Sequence, residues 1–470
     1  MKRVFVFCIG GTGLRVKKSI TMLLAAGMDA KGFTIVPISI DPHLDLEEKR
    51  NLQTLLGEYE NIYDSCILSD GQRHNPPKGF FETNITDLKK LNGQQNDISE
   101  PIAEKRSFGQ YLNIGKLNAE DINNFLVQTL FSQANLDNDL SVGFKGSPNV
   151  GTVVLGEMIK GADWFQSFCN AFQQGDRIFI ISSIFGGTGA SGFPLLEKKV
   201  RNYTDNTTVK DAMMGAVSVL PYYALEDPGI TDSDIDSANF LTKTKSALAY
   251  YENRIESDYH YYVGEQGMKV TYQNDEKKQE DKAHFVELVA ASALFDFLSK
   301  SDERPDTRQT MSRSIKEDVE SLSLSSLGDP YKDIVKALAD MTLLYRIVSF
   351  IPEEPQFPLS KNRGYDSDFY NDKSFVALRN FLERFAVWYE ELASNKRGFA
   401  PLNIANVKVR KAPLSNWIKD FSLDAKDESY YLLEMIRASN KDSNPSNTIK
   451  FRSFLDYAYK AINKYTGKIL

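Results

Sequence analysis

An α/β fold is predicted for this 470-residue chain: a Rossmann-like parallel sheet, a long buried central helix and a mainly helical C-terminal region. Three observations carry that expectation. Val4-Phe5-Val6-Phe7-Cys8-Ile9 is a continuous apolar run of strand-forming residues, as in a strand buried on both faces. It runs into Gly10-Gly11-Thr12-Gly13 and then a helical pattern, which is a βαβ opening with a glycine-rich first turn. The same unit recurs: Arg177 to Phe185 is mostly apolar and is followed by Gly-Gly-Thr-Gly at 186–189.

Taken in order, the first helix is expected as an amphipathic segment from Leu14 to Ala26, and the second strand from Phe33 to Ile40, closed by Asp41-Pro42. Leu44 to Leu56 reads as helix, residues 59–107 as loops with short elements, and Ala119 to Ala134 as a further helix. After the second glycine turn come a helix from Pro194 to Asn202, with proline tolerated in its first turn, and a strand from Ala212 to Leu220. Asn239 to Tyr251 is helical in period, and Tyr259 to Val263 is a candidate strand. Ala283 to Leu298 is apolar around most of its circumference, which fits either a helix wedged between two domains or a core helix of one. Beyond the charged run ending at Asp306, the clearest helices are Tyr331 to Phe350, Phe375 to Ala393 and Phe451 to Tyr465; Leu402 to Val409 is a candidate strand.

Composition excludes several classes. Hydrophobic residues make up 42% and charged residues 25%, with a net charge of −7, values of a globular protein with a sizeable core. The acidic balance argues against a nucleic-acid or membrane-surface binder. Three scattered cysteines give no disulfide framework or zinc ribbon, and four separated histidines give no HExxH-type centre. No run approaches the ~20 apolar residues of a membrane span, and the N-terminus lacks a secretory pattern, so the expectation is a cytoplasmic protein.

Glycine lets a backbone approach a phosphate closely, and the helix after it aims unpaired N–H groups at the anion. Two such turns can embrace one polyphosphate, whereas two unrelated structural turns need no ligand. Neither turn is followed by Gly-Lys-Ser/Thr, so a P-loop is excluded. A dinucleotide site would need GxGxxG; Cys8-Ile9-Gly10-Gly11-Thr12-Gly13 lacks its first glycine, although Asp41 does follow the second strand.

On these residues the sequence resembles the tubulin/FtsZ superfamily, and most of all its divergent bacterial tubulin-like proteins. Phe185-Gly186-Gly187-Thr188-Gly189-Ala190-Ser191-Gly192 is similar to the family's GGGTG(S/T)G phosphate loop, and Ile9-Gly10-Gly11-Thr12-Gly13 to its first nucleotide loop. The resemblance covers about residues 1–300 and implies binding of GTP or GDP with Mg²⁺ in a tubulin-like fold. It implies that Gly10, Gly11, Thr12 and Gly13 contact the α/β-phosphates, and that Gly186, Gly187, Thr188, Gly189, Ala190 and Ser191 wrap the β/γ-phosphates. It implies that Asp41 helps hold Mg²⁺ through water. Glu226 stands one residue off the ribose-binding acid, and Asn239, with Asp281 and His284, lies where the base is read. Lys105-Arg106-Ser107 falls in the region of a loop over the γ-phosphate, and reads equally as an ordinary basic loop.

Several positions depart from the family. Phe185 replaces the first signature glycine, Ala190-Ser191 reverses the glycine placement, and Arg15 stands where an asparagine is usual. A guanidinium at Arg15 either neutralises phosphate charge or lies on the helix surface. The loop after the central helix should read NxDxxD and project acids into the next subunit's nucleotide; here it is Ser299-Lys300-Ser301-Asp302-Glu303-Arg304-Pro305-Asp306. Asp302 and Asp306 therefore read first as a solvated charged loop. Asp232, Asp234 and Asp236 lack the glycine and glutamate of an EF-hand and read as turn residues.

The expected organisation is a nucleotide-binding domain over 1–264, a connecting segment with the central helix over 265–300, and a mostly helical domain over 301–470. The expected function is a GTP-binding protein that self-associates into oligomers or filaments, with nucleotide at the subunit interface and slow hydrolysis as an open question. Further protein partners would use the C-terminal region; catalytic residues are unassigned and no protein metal cluster is expected. The alternatives are a non-hydrolysing nucleotide-dependent scaffold or sensor and, behind it, an NAD(P)-binding Rossmann enzyme.

Overall fold

Strands β1 (Arg3–Ile9), β2 (Thr34–Ile40), β3 (Asp97–Ile98), β4 (Arg177–Ser183), β5 (Met213–Val219), β6 (Tyr259–Glu265) and β7 (Gln309–Ile315) form one sheet in the computed structural model. Their order is β7-β6-β5-β4-β1-β2-β3, and every neighbouring pair is parallel. The structure describes residues 2–42, 47–67, 79–92, 97–98, 107–118, 120–140, 143–144, 146–160, 163–225, 238–267, 270–272, 274–275, 278–279, 282–315, 332–350, 365–395, 399–400, 402, 435, 437 and 450–467.

The apolar runs become buried strands because helices cover both faces. Phe5 and Phe7 pack edge-on against Phe168 of a helix at Asp163–Ala171. Phe179 lies on the opposite face, with its ring 5.3 Å from Phe297 of the central helix. Large apolar side chains buried on both sides contribute roughly 1.5–3 kcal/mol each, which is why β2, β4 and β5 contain no exposed residue.

Helix α1 (Gly10–Ala25) follows β1, α2 (Glu47–Cys66) follows β2, and α3 (Pro148–Lys160) precedes β4. After β4 come α4 (Gly187–Arg201) and, beyond β5, α5 (Ala238–Arg254). The central helix α6 is Phe285–Leu298. The C-terminal helices α7 (Lys332–Phe350), α8 (Lys373–Ser394) and α9 (Lys450–Thr466) pack with α2 and α1. Tyr59 of α2, Phe81 and Phe381 of α8 form one aromatic cluster, and Arg384 of α8 pairs with Glu58 of α2 at 3.0 Å.

The structure corrects the expectations in four places. Helix α1 is not amphipathic: the sheet, α2, α6 and α7 surround it, so Arg15, Lys17, Ser19 and Thr21 are buried along with its apolar residues. Helix α2 continues to Cys66. The segment expected as one helix from Ala119 to Ala134 is split into Ile122–Leu130 and Gln133–Leu136, each started by its own side-chain cap, Asp121 and Ser132. Strand β7 follows the central helix and pairs along β6, in a stretch where no strand was expected. The candidate strand at Leu402 to Val409 lies, apart from Leu402, outside the described residues.

The charged run after α6 closes the end of the sheet where the strands begin. Arg177 opens β4 and donates from Nη1 to the carbonyl of Phe297 (2.8 Å) and from Nη2 to those of Lys300 (2.8 Å) and Ser301 (3.1 Å). A cation there satisfies carbonyls that a helix C-terminus leaves unpaired. The same guanidinium reaches Asp302 at 3.0 Å, and Lys2 bonds the other oxygen.

Candidate functional site

The chain enters the sheet at β1, builds outward through β2 and β3, and then returns to lay β4 on the other side of β1. The direction of winding reverses between β1 and β4, and in open parallel sheets the crevice beyond the strand ends at such a point is where ligands bind. Both glycine turns stand there, one after Ile9 and one after Ser183.

The turns touch. Gly10 has φ +73°, and a Cβ built on it would lie 3.3 Å from Thr188 Cβ and 3.5 Å from the Gly189 nitrogen. A Cβ on Gly13 would lie 2.7 Å from the Cys8 carbonyl carbon, so α1 packs backbone to backbone on the end of β1. A Cβ on Gly189 would lie 2.6 Å from the Ser183 carbonyl oxygen, the corresponding constraint on α4 and β4. These glycines are therefore required by close approach, which brings two helix N-termini to one point.

Neither N-terminus is satisfied by its own chain in the usual way. Ile9 and Gly186 hold the N-cap positions with no side-chain cap, and the first turns carry no acid. Two sets of N–H groups and two positive dipole ends thus converge where an anion would be stabilised. Gly11, Gly186, Thr188 and Ala190 are the partly exposed members, while Gly10, Thr12, Gly13, Gly187 and Gly189 are buried beneath them.

Ser191 is turned elsewhere. Its hydroxyl donates to the Gly187 carbonyl at 2.6 Å, and it lies against Gly151 of α3. Asp41 is buried just beyond Ile40, which is paired with Ile9 at the entrance of the first turn. Phe185 fills the space of the missing signature glycine with an aromatic wall: its ring is 5.5 Å from Tyr223 and 5.0 Å from Phe240. That wall fixes the start of α5, where Asn239 precedes Phe240. Glu226, Asp281, Lys105, Arg106 and the aspartates at 232, 234 and 236 lie outside the described residues.

Arg15 is neither on the helix surface nor simply at the phosphate turn. Its Nε donates to Glu287 Oε1 at 2.7 Å and its Nη2 to the Tyr222 hydroxyl at 3.0 Å. Tyr222 in turn donates to the same Glu287 oxygen at 2.6 Å, while Glu287 Oε2 accepts the His284 backbone N–H at 3.0 Å. His284 Nδ1 accepts the Val286 N–H, closing a capping box on α6. With Nδ1 so used, Nε2 carries the ring proton in the neutral tautomer and faces Glu265 Oε2 at 3.2 Å.

The sequence reading missed a third wall. Phe144, Gly146 and Ser147, just ahead of α3, lie directly over the second turn. A Cβ on Gly187 would lie 2.8 Å from Phe144 Cβ and 3.2 Å from the Ser147 nitrogen. Gly143 and Gly146 take φ of +85° and +69°, and Lys243 of α5 donates to the Gly146 carbonyl at 2.6 Å. The legible signal was the run of glycines at 143, 146 and 151 around Pro148.

No family model matches the sequence, and no curated protein matches it. Among solved structures, CetZ from Methanosaeta thermophila strain DSM 6194 is similar at a TM-score of 0.28 and 14% identity, over 56% of this chain and 46% of that one. This chain thus matches less than half the length of CetZ. A likeness so slight leaves the reading of the site to its own geometry. Among the described residues no helix is long and apolar enough to cross a membrane, and no three His, Cys, Asp or Glu side chains are grouped to hold a metal ion.

Proposed function

We propose that the chain binds a guanine nucleotide, GTP or GDP, with its phosphates in the crevice between the two glycine turns, and that it self-associates. The observation that carries this reading is the contact of Gly10 with Thr188 at the winding reversal, where two uncapped helix N-termini meet. A polyphosphate is the anion that matches two adjoining sets of N–H donors. The guanine assignment follows the sequence resemblance. Mg²⁺ fits as an ion held chiefly by the phosphates, with Asp41 as the nearby carboxylate acting through water, since Mg²⁺ is usually bound by one or two carboxylates plus phosphate oxygens.

Self-association is supported by the placement of the post-helix acids. Asp302, Glu303 and Asp306 are exposed at the end of the sheet opposite the glycine turns, so a head-to-tail neighbour would bring them to a nucleotide. One observation favours the non-hydrolysing scaffold as second reading: the Asp302 carboxylate is already engaged by Lys2 and Arg177.

Titration calorimetry with GTP, GDP, ATP and NAD tests the first reading. Guanine nucleotides are expected to bind and Gly189→Ala to weaken them at least tenfold; NAD binding that this variant leaves untouched would replace it with the NAD(P)-binding Rossmann enzyme. GTP turnover that rises steeply with protein concentration would sink the scaffold alternative.

A further inference from the structure

We infer that Arg15 is a cation shared between the phosphate crevice and the central helix, so that occupancy of the first glycine turn is linked to how the start of that helix is held. The inference rests on the polyphosphate reading above and extends it to a positioning residue. Arg15 borders the turn: its Nη2 is 3.5 Å from Thr12 Oγ1, and its Nη1 would be 3.9 Å from a Cβ on Gly11. The same guanidinium is bonded to Glu287, which caps the first turn of α6 through the His284 N–H. Arg15 and Glu287 are both buried, so the surroundings screen their interaction weakly. A phosphate arriving beside Gly11 and Thr12 adds a second anion to a cation that Glu287 now holds. The two anions compete for one guanidinium, and by linkage whatever weakens the Glu287 bond strengthens the phosphate's.

The competition fixes opposite signs for two substitutions. Glu287→Gln keeps an oxygen to accept the His284 N–H but removes the charge opposing the ligand, so GTP is expected to bind at least fivefold tighter. Arg15→Met is expected to weaken GTP at least tenfold. A merely structural knot would weaken binding in both variants. Hydrogen exchange gives the second readout: GTP is expected to change exchange at the Val286, Glu287 and Leu288 amides in the wild type. It should leave them unchanged in the uncharged double variant Arg15→Met/Glu287→Gln.

Unchanged or weaker GTP binding by Glu287→Gln, with the wild type binding normally, overturns this inference and leaves the nucleotide reading standing. If Glu287→Gln does not fold, the double variant decides, and helix-start amides that still respond to GTP there overturn the inference. A wild type that does not bind GTP overturns the nucleotide reading and this inference with it.

Discussion

Gly10 and Thr188 meet across the β1–β4 winding reversal although 178 positions separate them, and a Cβ on Gly10 would approach Thr188 Cβ to 3.3 Å. At φ +73° an L side chain is strained as well as crowded. Gly10→Ala is therefore expected to cost about 1–2 kcal/mol of stability and to separate the two turns. Nucleotide affinity should fall by tenfold or more, measured by titration at a temperature where the variant remains folded. Affinity unchanged by Gly10→Ala would show that the two turns do not act on one ligand.

Arg177 and Asp302 form an ion pair whose two halves should differ greatly in worth. Arg177 is buried and satisfies several carbonyls at the end of the central helix, so Arg177→Lys, which cannot reproduce the planar fork, is expected to cost about 2–4 kcal/mol. The Asp302 side chain is 64% exposed, and although its bonds to Lys2 and Arg177 hold its pKa below the ordinary value, solvent screens the pair. Asp302→Asn should cost under about 0.5 kcal/mol. Chemical denaturation of the two variants checks the contrast, and equal losses would mean that the carboxylate is the anchor.

Lys243 ties α5 to the segment over the second glycine turn through the Gly146 carbonyl. Lys243→Met retains the stem and removes the donor, so stability should change by under about 1 kcal/mol. If Phe144, Gly146 and Ser147 form a wall of the crevice, GTP affinity should fall several-fold without a matching fall in melting temperature. A binding isotherm identical to the wild type would assign that segment to packing alone.

What the sequence made legible follows from how each feature is encoded. β1, β2 and β4 are continuous apolar runs because both faces are covered, and the repeated Gly-Gly-Thr-Gly marks close backbone approaches that only glycine permits. The C-terminal helices were visible from their apolar faces, and appear at Lys332–Phe350, Lys373–Ser394 and Lys450–Thr466. Strand β7, Gln-Thr-Met-Ser-Arg-Ser-Ile, was hidden because it lies at the sheet edge, where few of its residues need be apolar. Helix α3 contains Gly151 and Gly156, which lower helix propensity; at Gly151 the absence of a side chain lets α3 lie against Ser191 and the Gly187 carbonyl of α4. The Arg15–Glu287 pair spans 272 positions, and no local pattern links such residues.

His260 and Glu197 should give opposite pH dependences that partly hide each other. Burial, with Arg308 adding to it, pushes the His260 pKa from 6.5 to about 3, while burial pushes Glu197 from 4.5 up to about 7 against the opposing Glu256 N–H and Arg201. His260 meets the ring of Phe193 of α4 edge-on at 5.5 Å, and Glu197 lies one helical turn beyond Phe193 on the same helix. Between about pH 3 and 6.5 the unfolded chain takes a proton at residue 260 that the folded chain refuses, so stability rises with pH. Between about pH 4.5 and 7 the folded chain keeps a proton at residue 197 that the unfolded chain has lost, so stability falls with pH. Each slope is at most about 1.4 kcal/mol per pH unit, and in the overlap they oppose each other. Glu197→Gln should therefore stabilise the protein above pH 7 and expose a rising slope between pH 4.5 and 6.5. His260→Gln should expose the falling slope over the same window. Denaturation midpoints measured from pH 4.5 to 8 check both, and parallel curves for the wild type and the two variants would mean that neither group titrates abnormally in the fold.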